Sequence, residues 1–216
     1  MEPRSLYCWF DTEYTRLDLE KARLLEVALI VTDDELQPIA VRPEGIPPEL
    51  LRRDGLTACV TLPPRAEISE HVLEHYQPLL ARCKAEGRPV EEIDRYLSLY
   101  MDGFAETRLE DIRKRPVLAG NSVYADYFLA RKFLPSFLSH LNYRHLDVTT
   151  LKLEWGYHYH GPKFEKLGHS DQIRCYYRGR DEIVGQARRL QRRTSFDGGA
   201  RLLPLASDIR EERGLR

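Results

Sequence analysis

The chain opens with short apolar runs separated by polar stretches, the pattern of strands. Leu6-Tyr-Cys-Trp-Phe10 predicts a buried strand and Leu25-Glu-Val-Ala-Leu-Ile-Val31 a second, with Thr32-Asp-Asp-Glu35 as the turn that follows. Pro38-Ile-Ala-Val-Arg42 reads as a third strand, so an antiparallel meander is expected. Apolar residues then recur at helical spacing from Ile68 to Leu80, and again from Val90 to Tyr100, where Val90, Ile93, Leu97 and Tyr100 share one face. Pro116-Val-Leu-Ala-Gly120 predicts a strand delivered to a Gly-Asn-Ser turn. Tyr124 to Leu141 predicts a helix carrying Phe128, Leu129, Phe133, Phe137 and Leu138, which Pro135 should kink or split. Tyr143 to Thr149 reads as a further strand, and Asp181 to Arg193 as a last helix packed through Ile183, Val184, Ala187 and Leu190. Strands first, then alternating helix and strand, predict an α/β domain: a mixed sheet flanked by helices. Past Thr194 the pattern dissolves, so residues 1–193 are expected to form a single domain and 194–216 a poorly ordered tail.

Composition narrows the function classes. The 216 residues are 42% hydrophobic, enough for one sizeable core. Lys and Arg number 33 against 34 Asp and Glu, a formal net charge of −1, which excludes a generally cationic nucleic-acid coat. It leaves room for an enzyme that grips a few nucleotides around an acidic centre. The 4 cysteines form no C-x-x-C pair, which argues against structural zinc and a disulfide framework. No basic-then-apolar leader and no apolar run of roughly 20 residues is present, so a cytoplasmic protein without a membrane span is expected.

Two acidic features carry the candidate chemistry. Asp11-Thr-Glu13 follows the first strand, and side chains two apart on a strand point to one face. Carboxylates held together there repel one another unless a cation sits between them, although a strand end running into a polar loop looks the same. Asp126, six residues after the strand ending at Gly120, falls in the first turn of the next helix, where an acid also simply favours the helix dipole. A strand pair and a helix acid converging on one sheet edge make the cluster that phosphodiester hydrolysis uses. Two divalent ions about 3.5–4 Å apart can activate the attacking water and neutralise the leaving oxygen. Hard oxygen ligands suit Mg²⁺ or Mn²⁺.

Longer stretches around these acids resemble the oligoribonucleases, a family of DEDD-type 3′→5′ exonucleases. Trp9-Phe-Asp-Thr-Glu-Tyr-Thr-Arg-Leu-Asp18 with Leu24-Leu-Glu-Val-Ala-Leu-Ile-Val-Thr-Asp33 resembles the family's first motif, and Asp54-Gly-Leu-Thr57 its Gly-Leu-Thr segment. Gly120-Asn-Ser-Val-Tyr-Ala-Asp126 with Phe128-Leu-Ala-Arg131 resembles the second motif, and Tyr143-Arg-His-Leu-Asp-Val-Thr-Thr-Leu-Lys152 the strand after it. The resemblance implies an RNase-H-like fold with a mixed five-stranded sheet flanked by helices, two Mg²⁺ or Mn²⁺ ions, and removal of 5′-mononucleotides from the 3′ end of short single-stranded RNA. It also implies a homodimer in which Tyr143 reaches toward the neighbouring subunit's site, and a wedge role for Leu17 against a terminal base. Asn121 and Ser122 are expected near the ribose-phosphate.

Departures from the family pattern are equally specific. Arg16 stands where the family usually has glycine, and Ile46 to Leu51 offers neither the tryptophan nor the histidine expected before Gly-Leu-Thr. The family places a histidine five residues before its fourth carboxylate, and no His here has an Asp at that distance. Either His169 and Asp171 form a shortened version, or Tyr177 and Asp181, four apart, supply the tyrosine form found in related DEDD exonucleases. Tyr177 and Asp181 share a helix face if that helix starts early, and the Tyr hydroxyl can orient the attacking water. The aromatic stretches Trp155–His160 and Cys175–Arg178, and roughly 13 Lys and Arg against 8 Asp and Glu from Lys163 onward, offer stacking and phosphate contacts or, equally, ordinary packing and a solvated face. Two other readings stay open: a catalytically decayed RNA-binding relative, and a DNA-directed exonuclease of the same fold.

Overall fold

The computed structural model describes residues 5–158. Among them, five strands form one mixed sheet in the order β3-β2-β1-β4-β5. They are β1 (Tyr7–Tyr14), β2 (Leu24–Thr32), β3 (Gly55–Cys59), β4 (Val117–Gly120) and β5 (His145–Asp147). The first three are antiparallel neighbours, whereas β4 and β5 run parallel to β1. The C-terminal ends of β1, β4 and β5 therefore lie together at one end of the sheet.

The strand alternation sorts the two faces. Cys8, Phe10, Val27, Leu29, Val31, Leu56 and Ala58 point into the main core, covered by α3 (Val90–Met101), α4 (Val123–Phe133) and α5 (Pro135–Leu138). The opposite face carries two smaller clusters. Leu25 and Cys59 meet Val72, Leu79 and Cys83 from α1 (Glu70–His75) and α2 (Gln77–Glu86). Trp9 and Ala119 meet Val148, the first residue of α6 (Val148–His158). Asp11 and Glu13, on the same face as Trp9, fall between these two coverings.

Several boundaries differ from the sequence reading. The first strand runs on through Tyr14, so the Asp-Thr-Glu triplet is part of it. Pro38–Arg42 is not a strand: it touches β2 through one isolated bridge, Thr32 to Pro38, after Leu36 turns the backbone at φ 61°. Pro38 has no N–H to continue a ladder. The third strand is instead Gly55–Cys59, buried on both faces and thus without visible alternation. The helix expected over 68–80 breaks at Tyr76, because Pro78 lacks the N–H that a continuous helix would bond to Glu74. Pro135 splits α4 from α5 as expected. The strand expected over 143–149 ends at Asp147, whose Oδ1 accepts the Thr149 N–H at 2.8 Å and so starts α6. The helix over 181–193 and the tail over 194–216 lie outside the described residues.

Candidate active site

The site forms where β4 runs out. Parallel pairing of β1 with β4 ends at Trp9 and Ala119, and β4 itself stops at Gly120. A Cβ at Gly120 would stand 3.0 Å from the Phe10 carbonyl and 3.1 Å from Val123 Cγ2, so glycine permits this close strand-to-helix turn. The chain then reverses through Ser122, held at φ 59°, into α4. A crevice beyond the carboxyl ends of strands, next to such a reversal, is where open α/β sheets place ligands.

Asp126, in the first turn of α4, reaches into the space that β4 vacates. Its Oδ1 accepts the Thr12 N–H at 2.8 Å and the Thr12 hydroxyl at 2.7 Å. Strand and helix thereby bring the predicted carboxylates into one electrostatic group. Burial holds Asp11 well above the usual carboxylate range, with Asp126 and then Glu13 adding repulsion. Burial lifts Asp126 to about 7 against the lowering effect of its Thr12 bonds, and nearby Asp147 raises it further. Clustered acids that resist ionisation mark a place where a cation would be welcome. Among the described residues no three His, Cys, Asp or Glu side chains close around a single point. The residues proposed for the third motif, Tyr177 with Asp181 or His169 with Asp171, lie outside the described residues.

The flanks of the site are also ordered. Asn121 Oδ1 accepts Lys152 Nζ at 2.7 Å and the Thr149 hydroxyl at 3.2 Å, while the Ser122 N–H donates to Asp147 Oδ1 at 3.0 Å. Leu17, in the loop after β1, is 87% exposed, and Tyr143 is 56% exposed with the Arg144 guanidinium 5.3 Å from its ring centre. Arg16 pairs with Glu67, and the Ser69 N–H donates to the Thr15 carbonyl at 2.9 Å, tying this loop to the segment before α1.

Three participants escaped the sequence reading. Nothing local to Asp11-Thr-Glu13 signals the bonds from Thr12 to Asp126. Asp147 carried a usable sign, an acid two residues before a threonine at a strand-helix junction. Glu26 stands alone in an apolar strand, and it lies opposite Glu13 across the sheet. It is 2% exposed and bonds Arg82 Nη2 at 2.6 Å, so burial raises its pKa while Arg82 opposes the rise. Beside it the β1–β2 register shifts between Glu13 and Tyr14, a bulge of the kind common next to active sites.

No protein-family model matches the chain. A Caenorhabditis elegans protein described as a probable oligoribonuclease is 30% identical over 182 residues, covering 82% of this chain and 80% of the relative. A Drosophila melanogaster protein of the same description is 34% identical over 151 residues, but the match spans only 61% of that relative's length. Among solved structures, Escherichia coli exonuclease I in complex with a dT13 oligonucleotide superposes with a TM-score of 0.59 at 11% identity, over 97% of this chain and 41% of that one. The sheet and its helices are thus those of the RNase-H-like exonuclease fold.

Proposed function

The chain belongs to the oligoribonuclease family, and from that premise we propose that it is a 3′→5′ exonuclease acting on short single-stranded RNA. The observation that carries the reading is the convergence of Asp11 and Asp126 beside Glu13 at the end of β4, in carboxylates that burial and mutual repulsion keep hard to ionise. Asp11, Glu13 and Asp126 would hold Mg²⁺ or Mn²⁺, with Asp181 or Asp171 as the fourth carboxylate. All are hard oxygen donors, the chemistry those ions prefer. When bound, a pair of such ions supplies an activated water and neutralises the leaving oxygen.

The remaining roles fall to the chain itself. Tyr177 or His169 orients the attacking water or takes its proton. Leu17 presents an exposed apolar surface on which a terminal base can rest, and Asn121 and Ser122 face the ribose-phosphate. The exposed side chains Tyr124, Tyr143, Leu153 and Tyr157 support a homodimer, in which Tyr143 would reach the partner's site. Among the described residues no helix is long and apolar enough to cross a membrane, and the proposed setting is the cytoplasm.

The test uses short 5′-labelled RNA and DNA with Mn²⁺, comparing the unaltered chain with Asp126→Ala, Asp181→Ala and Asp171→Ala. Stepwise shortening of RNA from its 3′ end, lost with Asp126→Ala and Asp181→Ala, is the expected result. Loss with Asp171→Ala instead assigns the fourth carboxylate to the His169 segment. RNA binding without cleavage under any divalent ion overturns the enzymatic reading in favour of a binding protein.

A further inference from the structure

Thr12 lies between the two acids of the first motif but faces the other way. It stands on the Phe10 side of the sheet, 5% exposed, where the main core would accept an apolar side chain. Both of its polar hydrogens go to one acceptor: the N–H at 2.8 Å and the hydroxyl at 2.7 Å both reach Asp126 Oδ1. Such a contact is available because β1 extends past the end of β4, so its edge there meets a helix side chain in place of a strand. Asp126 is itself 4% exposed, which keeps water from substituting for either donor.

A carboxylate oxygen offers two lone-pair positions, and two donors at these distances occupy both. We propose that Thr12 is a positioning residue for the nuclease reaction: it fixes Asp126 through Oδ1, so that Asp126 meets a divalent ion through Oδ2 alone. The inference rests on the reading of Asp11, Glu13 and Asp126 as the metal-holding carboxylates. Two ions about 3.5–4 Å apart tolerate little drift in their ligands, and the Thr12 clamp couples α4 to β1 directly. Partners that orient a ligand in this way typically change metal affinity 10- to 100-fold when removed.

The experiment compares Thr12→Val, Thr12→Ser and Asp126→Ala in the full chain. Mn²⁺ binding is followed by the loss of the free-ion paramagnetic resonance signal, and RNA cleavage is measured as a function of Mn²⁺ concentration. Thr12→Val preserves shape and the backbone bond but removes the hydroxyl. It is expected to weaken Mn²⁺ binding roughly tenfold or more, to raise the Mn²⁺ concentration needed for half-maximal cleavage, and to recover both with Thr12→Ser. If Thr12→Val does not fold, Thr12→Ala against Thr12→Ser makes the same comparison. Wild-type Mn²⁺ affinity in the folded Val or Ala variant, with binding lost in Asp126→Ala, overturns the Thr12 inference while leaving the nuclease reading intact. Wild-type affinity in Asp126→Ala overturns both.

Discussion

Asp126 is buried and Asp11 half-buried within one acidic group, and the cost of that arrangement depends on pH. In the folded chain Asp126 titrates at about 7 and Asp11 well above its ordinary range, whereas each begins from 3.8 when unfolded. Between roughly pH 4 and 7 the folded state therefore binds more protons than the unfolded one, and stability falls as pH rises through that window. A divalent ion that replaces those protons should reverse the loss. Without divalent ions the melting temperature is expected to drop between about pH 5 and pH 7.5, and Mn²⁺ to raise it more at the higher pH. A thermal-shift series with chelator and with Mn²⁺ checks both; a pH-independent Mn²⁺ effect would count against the cluster. The three acids were legible in the sequence because a strand or a helix turn places each one within a few residues. Thr12 was not, since its partner is 114 residues away. Glu26 was hidden for another reason: one acid in an apolar strand gives no hint of the arginine that covers it.

Elements follow the sequence wherever their boundary chemistry is local. Pro135 ends α4 because it cannot donate the helical bond, and that could be read directly. What restarts the chain as α5 could not. The N–H groups of Ser136 and Phe137 donate to Asp94 on α3, at 3.0 and 2.8 Å, so the cap comes from a different helix. Asp94 is buried among the apolar residues of α3, and its carboxylate would otherwise face the core unsatisfied. Asp94→Ala leaves the buried Phe137 N–H and the part-buried Ser136 N–H without this partner, and is expected to destabilise the fold by about 1–3 kcal/mol, measured by urea denaturation. Cleavage should persist below the lowered midpoint, since Asp94 bonds the start of α5 and none of the candidate carboxylates. The missed strand β3 teaches the complementary lesson. Burial on both faces erases the two-residue period, and Gly55 leaves one position without a side chain; a Cβ there would fall 2.0 Å from the Leu29 carbonyl. The false strand at Pro38–Arg42 had suitable residues but no free ladder to join.

At the scale of the whole molecule, the mixed sheet was expected from the order of strands and helices, but its strand order was not. That order puts β1 at the centre, between an antiparallel and a parallel neighbour, and so determines which strand can carry an acidic pair toward the crevice. The exposed aromatic side chains Tyr124, Tyr143 and Tyr157 were not separable from core aromatics by pattern alone. If they join two copies, light scattering should give a dimer, and Tyr157→Glu combined with Leu153→Glu on α6 should give a monomer with reduced RNA cleavage. A mass that remains monomeric in the unaltered chain at micromolar concentration would count against the dimer.

The pairing of Trp9 with Ala119 also has a temporal side. A chain emerging from the ribosome exposes Asp11 and Glu13 early, but Asp126, which joins their group, is made more than a hundred positions later. Contacts of such long separation are slow to close, because the loop between them must first lose its freedom. The acidic centre therefore assembles together with the central sheet pairing and no earlier. A half-made chain has both strand acids but not their grouping with Asp126, so the proposed cleavage site is not in place while the chain emerges.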